Sequence, residues 1–241
     1  MNDTTRLKTI GLIGGLSWES SAEYYRIINE ATRDRLGKFY SAKILMFSLN
    51  FAEIEQYQHL GRWDLATHVM IDAAQRLERT GADFILILSN TMHRVADELQ
   101  RSISIPLLHI ADPTGQAIHE QNITSIGLLG TAFTMEGDFY KQRLKDQFGL
   151  EVVIPDLQDR GIVHNIIYQE LVRGQILEPS RREYTRIIEN LIERGAQGII
   201  LGCTEIMLLV RQEDSRVPIF DTTTLHALAA VEQSLSQKLH F

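Results

Sequence analysis

The fold class expected from the sequence is α/β: two similar parallel-sheet αβα domains related by pseudo-twofold symmetry. Three observations predict it. Eight short apolar runs alternate with amphipathic segments, the runs are rich in Ile, Leu, Val and Phe, and three segments of the first half recur in order in the second. Continuous apolar runs bounded by helical periodicity mark strands buried on both faces and joined by crossover helices.

In chain order the first strand is KTIGLIG at 8–14, and Ser20 and Glu23 then stand at capping-box spacing, which predicts a helix start. AKILMF at 42–47, FILIL at 84–88 and PLLHI at 106–110 supply three more strands. SIGLLG at 125–130 and EVVI at 151–154 follow. Ser180 and Glu183 repeat the capping-box spacing just after Pro179, and the helix EYTRIIENLIERG is closed by Gly195. GIILG at 198–202 and PIFD at 218–221 complete the set. The expected domains are residues 1–112 plus 223–241, the last helix returning to the first domain, and residues 113–222.

The repeat carries the domain reading. TIGLIGG at 9–15 matches SIGLLGT at 125–131, TGADFILILSNT at 80–91 matches RGAQGIILGCTE at 194–205, and IPLLHI at 105–110 matches VPIFDT at 217–222. Each separation is two residues shorter than the one before, as expected for two like halves with small loop differences. The repeat sets Ser89 opposite Cys203.

Composition narrows the function. With 44% apolar and 23% charged residues the chain is an ordinary globular protein, and 24 basic against 31 acidic residues disfavour a nucleic-acid or anionic-membrane partner. A small-molecule ligand is expected instead. The single cysteine rules out an internal disulfide and a cysteine zinc site, and no His pair has metal spacing. MNDTTRLKTIGLIGG shows no basic region followed by a long apolar stretch, and no apolar run approaches the ~20 residues a membrane span needs, so a cytoplasmic protein is expected. The glycosylation-like triplets at Asn2 and Asn122 are then chance matches.

Ligands of open parallel sheets bind beyond the carboxyl ends of strands, where Ser89 and Cys203 both stand. Two proton carriers flanking one cleft suit a racemase or epimerase, which takes a proton from one face of a carbon and returns one to the other. A thiol fits because its ordinary pKa, about 8.5, falls beside a helix N-terminus; Glu205 works the other way.

GGLSWES at 14–20, SNTMH at 89–93, LLGTAFTM at 128–135 and GCTEI at 202–206 together resemble the cofactor-independent aspartate/glutamate racemases, over essentially the whole chain. The resemblance implies two α/β domains with the site between them, no pyridoxal phosphate, no metal, an amino-acid substrate and usually a dimer. The typical member carries a cysteine on each side. Cys203 matches the second; Ser89 stands where the first would be.

Cys203 is therefore expected to act as base toward one face, by resemblance that of the L-enantiomer, while Ser89 or a water it holds meets the other. A neutral serine protonates a carbanion far more readily than it removes an α-proton, and only His93 suggests itself as an activating base. The expected substrate contacts are Leu16 and Ser17 of the first glycine loop, backbone amides near Gly15 and Gly130, and Asn90, Thr91, Thr131, Thr204 and Glu205. Members acting on acidic amino acids often present an arginine beyond the second strand. Here FSLN at 47–50 offers Ser48 and Asn50, leaving Arg94, Arg160 or His164 to meet a side-chain carboxylate. Two other readings fit the same residues: a decarboxylase or isomerase of the arylmalonate decarboxylase type, which needs one cysteine and releases carbon dioxide, and a non-catalytic amino-acid binder, which exchanges no α-proton.

Overall fold

The computed structural model describes residues 7–37 and 39–236 and divides the chain into two compact units. The first unit holds the described chain up to Leu88, Val95–His109 and the helix residues from His226 on; the second holds Ser89–Arg94 and Ile110–Leu225.

In chain order the elements are β1 Ile10–Gly14, α1 Trp18–Leu36, β2 Ile44–Ser48, α2 Phe51–His59, α3 Trp63–Arg79 and β3 Phe84–Ile87. After a 3-10 turn at Thr91–Val95 come α4 Ala96–Arg101 and α5 Ala111–His119. The rest comprises β4 Ser125–Gly130, α6 Ala132–Glu136, α7 Asp138–Phe148, β5 Glu151–Val153, α8 Leu157–Gln169, α9 Glu178–Glu193, β6 Ile199–Gly202, α10 Ile206–Leu209, β7 Ile219–Asp221 and α11 Thr222–Leu235. Among the described residues no helix is long and apolar enough to cross a membrane.

The first unit has a parallel sheet in the order β2-β1-β3, and the second a parallel sheet in the order β5-β4-β6-β7. The α/β class with two parallel sheets is thus as the sequence predicts. β1, β3 and β6 are buried along their whole length, the consequence of apolar runs without polar alternation. In the first unit Ile10, Leu12, Phe84 and Leu86 pack against Tyr24 and Ile28 of α1 and against Ala227 and Val231 of α11. In the second, Ile126, Leu128 and Ile200 pack with Tyr184, Ile187 and Leu191 of α9.

Three expectations need correction. PLLHI is not a strand: Ile85 alone bridges Leu107, through Ile85 N–H to the Pro106 carbonyl and Leu108 N–H to the Ile85 carbonyl. The Leu107 N–H turns instead to the Gln100 side chain, and α5 begins at Ala111 before a ladder can extend. The start of α1 is Trp18, capped by Ser17, whose extended backbone places its hydroxyl to accept from Ser20 N–H. Ser20 and Glu23 lie inside the helix, where any i, i+3 pair meets the same spacing. The start of α9 is likewise Glu178, preceded by extended Leu177, with Pro179 in its first turn. Ser180 Oγ there donates to Glu170 Oε2 at 2.5 Å. The far end of α9 is as expected, with Gly195 at φ 96° just past the cap and its N–H on the Ile192 carbonyl.

Candidate active site

The second unit gathers most of the expected site. Beyond the carboxyl end of β6 the chain runs Cys203, Thr204, Glu205 into α10, and all three residues are buried. Cys203 Sγ donates to Glu205 Oε2 at 2.9 Å, and Thr204 Oγ1 donates to the same oxygen at 3.0 Å. Burial first, then the charge of Glu205 and its hydrogen bond, push the thiol well above its ordinary pKa. The expected fall beside a helix N-terminus is outweighed, because α10 is a single turn and the carboxylate is in contact.

Around this strand end lies a shell of hydroxyls. Thr131 follows β4, caps α6 by accepting from Thr134 N–H, and sits 2.9 Å from Thr91 Oγ1 and 3.2 Å from Thr134 Oγ1. Thr91 reaches Thr134 at 3.1 Å, so the three hydroxyls form a closed ring. Following β7, Thr222 Oγ1 donates to the Leu201 carbonyl and therefore accepts from Asn90 Nδ2 at 3.0 Å. Thr223 Oγ1 donates to the Thr204 carbonyl. These bonds orient the Asn90 amide, and its Oδ1 is buried with no hydrogen-bond partner among the described residues.

Ser89 opens the segment that brings Asn90 and Thr91 into this shell. It is half-buried, and its Oγ receives a long bond, 3.4 Å, from Met92 N–H. His93 is engaged with backbone: Nδ1 lies 2.7 Å from the Ser89 carbonyl, and Nε2 accepts from Ile110 N–H at 3.1 Å. The carbonyl requires the hydrogen on Nδ1, so the ring fastens the Ser89 turn rather than activating the Ser89 hydroxyl.

His164, on α8, accepts from Ala132 N–H at 3.2 Å and packs against Phe133 and Tyr168. Arg160 is held by Glu136 and the Pro155 carbonyl, and Arg94 is exposed. Four expected contacts belong to the first unit. Leu16 is buried, Ser17 caps α1, Ser48 is exposed at the end of β2, and Asn50 caps α2 by accepting from Ala52 N–H. The Gly15 N–H is bonded to Ser21 Oγ at 2.8 Å.

Sequence reasoning missed Thr134, Thr222, Thr223 and Tyr184. Thr134 lies within LLGTAFTM, and Thr222 ends the repeated VPIFDT, so position in the repeat was the available signal. Tyr184, on the buried face of α9, is fully buried with a hydroxyl that has no hydrogen-bond partner among the described residues. Burial, then the charges of Cys203, Glu170 and Glu205, raise its pKa. Among the described residues no cluster of three or more His, Cys, Asp or Glu could hold a metal ion.

Comparison with known proteins gives this geometry a context. The Asp/Glu/Hydantoin racemase family model matches residues 13–230. A broad specificity amino-acid racemase, RacX of Bacillus subtilis (strain 168), is 30% identical over 171 residues, covering 69% of this chain and 71% of that protein. A crystal structure of a Yersinia pestis protein assigned as an Asp/Glu racemase is 50% identical, with a TM-score of 0.88, covering 95% of this chain and 100% of that one. That of an aspartate racemase homologue from Pyrococcus horikoshii OT3 is 34% identical, with a TM-score of 0.82 and the same two coverages.

Proposed function

Because the chain belongs to the Asp/Glu/Hydantoin racemase family, we propose that it is a cofactor-independent amino-acid racemase that inverts the α-carbon by proton transfer. Cys203 exchanges the α-proton on one face, and Ser89 or a water it holds serves the other. The observation that carries this reading is the Asn90 amide: its Oδ1 is a buried acceptor with no partner, in the same hydrogen-bonded shell as the β6 end that bears Cys203. An unpaired buried acceptor costs about 1–3 kcal/mol, and a substrate α-ammonium supplies the donor that removes this cost. The ring of Thr91, Thr131 and Thr134 hydroxyls can turn one of its O–H donors to the α-carboxylate, whose enediolate form accumulates charge in the transition state.

The second carboxylate of an acidic substrate finds no arginine at the end of β2, since Ser48 is exposed and neutral and Asn50 is committed to capping α2. The substrate class is therefore proposed as amino acids at large, acidic ones included. Proton NMR in heavy water, run over L- and D-amino acids, tests the reading. Wild-type protein is expected to lose the α-proton signal of its substrates, and Cys203→Ala to slow that loss by about a thousandfold or more. A Cys203→Ala protein that exchanges at the wild-type rate would leave the thiol as packing only.

A further inference from the structure

One face of α9 is turned inward, and Ser180, Tyr184, Ile187, Ile188 and Leu191 are its buried residues. Tyr184 departs from the rule that buried polar groups are paired: the ring is fully buried, and its hydroxyl has no hydrogen-bond partner among the described residues. Phenylalanine would fill the same place without that penalty, since an unpaired buried hydroxyl is a net cost to the fold. Packing alone therefore does not account for a tyrosine here.

The elements on either side place its neighbours. Ser180, one turn earlier on the same face, donates to Glu170 Oε2 at 2.5 Å. Glu170 leads into the 3-10 turn Leu171–Arg173, which packs against α10, the helix that begins directly after Glu205. Tyr184 and Cys203 belong to one buried core with Ile200 and Ile206. The hydroxyl thus shares a dry region with the end of β6, where the charges of Cys203, Glu170 and Glu205 act on it. Both carboxylates are already engaged at Oε2, Glu170 by Ser180 and Glu205 by Cys203 and Thr204.

We propose that Tyr184 is a positioning residue for Cys203: its uncommitted O–H is the donor that steadies the negative charge on sulfur when the thiolate forms. The inference rests on the racemase reading above, which requires that thiolate. As a thiol, Sγ donates to Glu205; as a thiolate it has no hydrogen to give and gains acceptor capacity. Burial works against the anion by removing its hydration, and Glu205 adds repulsion. A dipole fixed in advance, with no other partner among the described residues, opposes both effects without giving up a hydrogen bond elsewhere. Tyr184 moves no proton in this role. Burial, then the charges of Cys203, Glu170 and Glu205, keep its hydroxyl protonated throughout the neutral range.

Cys203 is the only cysteine, so alkylation of the whole protein by iodoacetamide reads this one sulfur. In Tyr184→Phe the pH profile of alkylation should move to higher pH by about one unit, so that the rate at pH 7 falls about tenfold. The kcat of racemisation should fall by about tenfold while KM stays within about twofold, the pattern left by loss of an interaction made only in the transition state. The urea midpoint should be unchanged or higher, because the variant removes an unpaired polar group. Ile187→Val trims the same buried face by one methyl group and should leave the alkylation profile in place, which separates the hydroxyl from packing. A Tyr184→Phe profile that coincides with wild type or moves to lower pH overturns the proposal, as does an equal displacement in Ile187→Val. So does a Tyr184→Phe protein that unfolds at lower urea or fails to fold by circular dichroism, since the hydroxyl then holds the fold. An unchanged kcat in Tyr184→Phe overturns the inference alone; failure of wild-type protein to exchange any α-proton overturns the racemase reading and this inference with it.

Discussion

His226 is fully buried on α11, with Nδ1 2.9 Å from the Tyr24 hydroxyl and Nε2 2.9 Å from the Leu108 carbonyl. A carbonyl only accepts, so Nε2 carries the hydrogen and Nδ1 receives the Tyr24 O–H. A proton added at Nδ1 would place a charge where burial has removed its hydration. Burial accordingly lowers the folded pKa from 6.5 to about 4. As pH falls the unfolded chain takes up this proton first, so the stability His226 contributes is complete above about 6.5 and is lost between there and about 4. A shift of this size corresponds to about 3 kcal/mol. Urea unfolding at pH 7 and at pH 4.5 should show that loss in wild type. His226→Gln should be less stable at pH 7 yet lose less on acidification, and an equally steep loss in the variant would assign the acid sensitivity to carboxylates instead.

The passage from β1 into α1 depends on one residue without a side chain. Gly15 has φ +71°, and a Cβ there would lie 2.2 Å from the Leu49 carbonyl oxygen and 2.4 Å from the Leu49 nitrogen. Both are backbone atoms held by the Leu49 N–H bond to the Gly14 carbonyl, so no side chain can swing aside. Gly15→Ala should therefore cost about 3 kcal/mol or more, whereas Ser17→Ala, which removes the cap of α1, should cost about 1 kcal/mol. Denaturant midpoints of the two variants measure the contrast, and near-equal midpoints would refute it. This junction also shows what the sequence could and could not disclose. Apolar runs such as FILIL and SIGLLG announce their strands because burial on both faces leaves no polar alternation, and the repeat of TIGLIGG as SIGLLGT displays the shared plan of the two sheets. PLLHI carries the same composition but spends its Leu107 N–H on Gln100, a partner seven residues away that no periodicity encodes. The spacing points to Ser20 where Ser17 is the cap, because spacing alone does not say which serine has extended backbone. In the candidate site, the places of SNT and GCTE beyond the ends of β3 and β6 were legible. The direction of the thiol pKa and the tie of His93 to the Ser89 carbonyl arise from contacts that only folding creates.

For the reaction proposed for the full chain, thermodynamics sets one constraint and the unlike residues set another. Enantiomers have equal free energy in water, so kcat/KM must be the same in both directions, and no substitution at Ser89 or Cys203 can change that equality. The rate of proton exchange without inversion is not so bound. Cys203 is a thiol, whereas Ser89 has a hydroxyl of far lower acidity and a neighbouring imidazole already fastened to backbone. Removal and return of a proton on the Cys203 face should then be faster than delivery from the Ser89 face. In heavy water the enantiomer that presents its proton to Cys203, by family resemblance the L form, should gain deuterium faster than it inverts. Its mirror image should gain deuterium only as fast as it inverts. Ser89→Cys places a thiol on the weaker side and should raise the inversion rate by about tenfold or more, bringing it toward the exchange rate, because a thiol is a far stronger acid than an alcohol. Deuterium entering both enantiomers at the inversion rate in wild type, or a Ser89→Cys protein no faster at inversion, would mean that the two faces are served by groups of equal strength and that Ser89 is not the second of them.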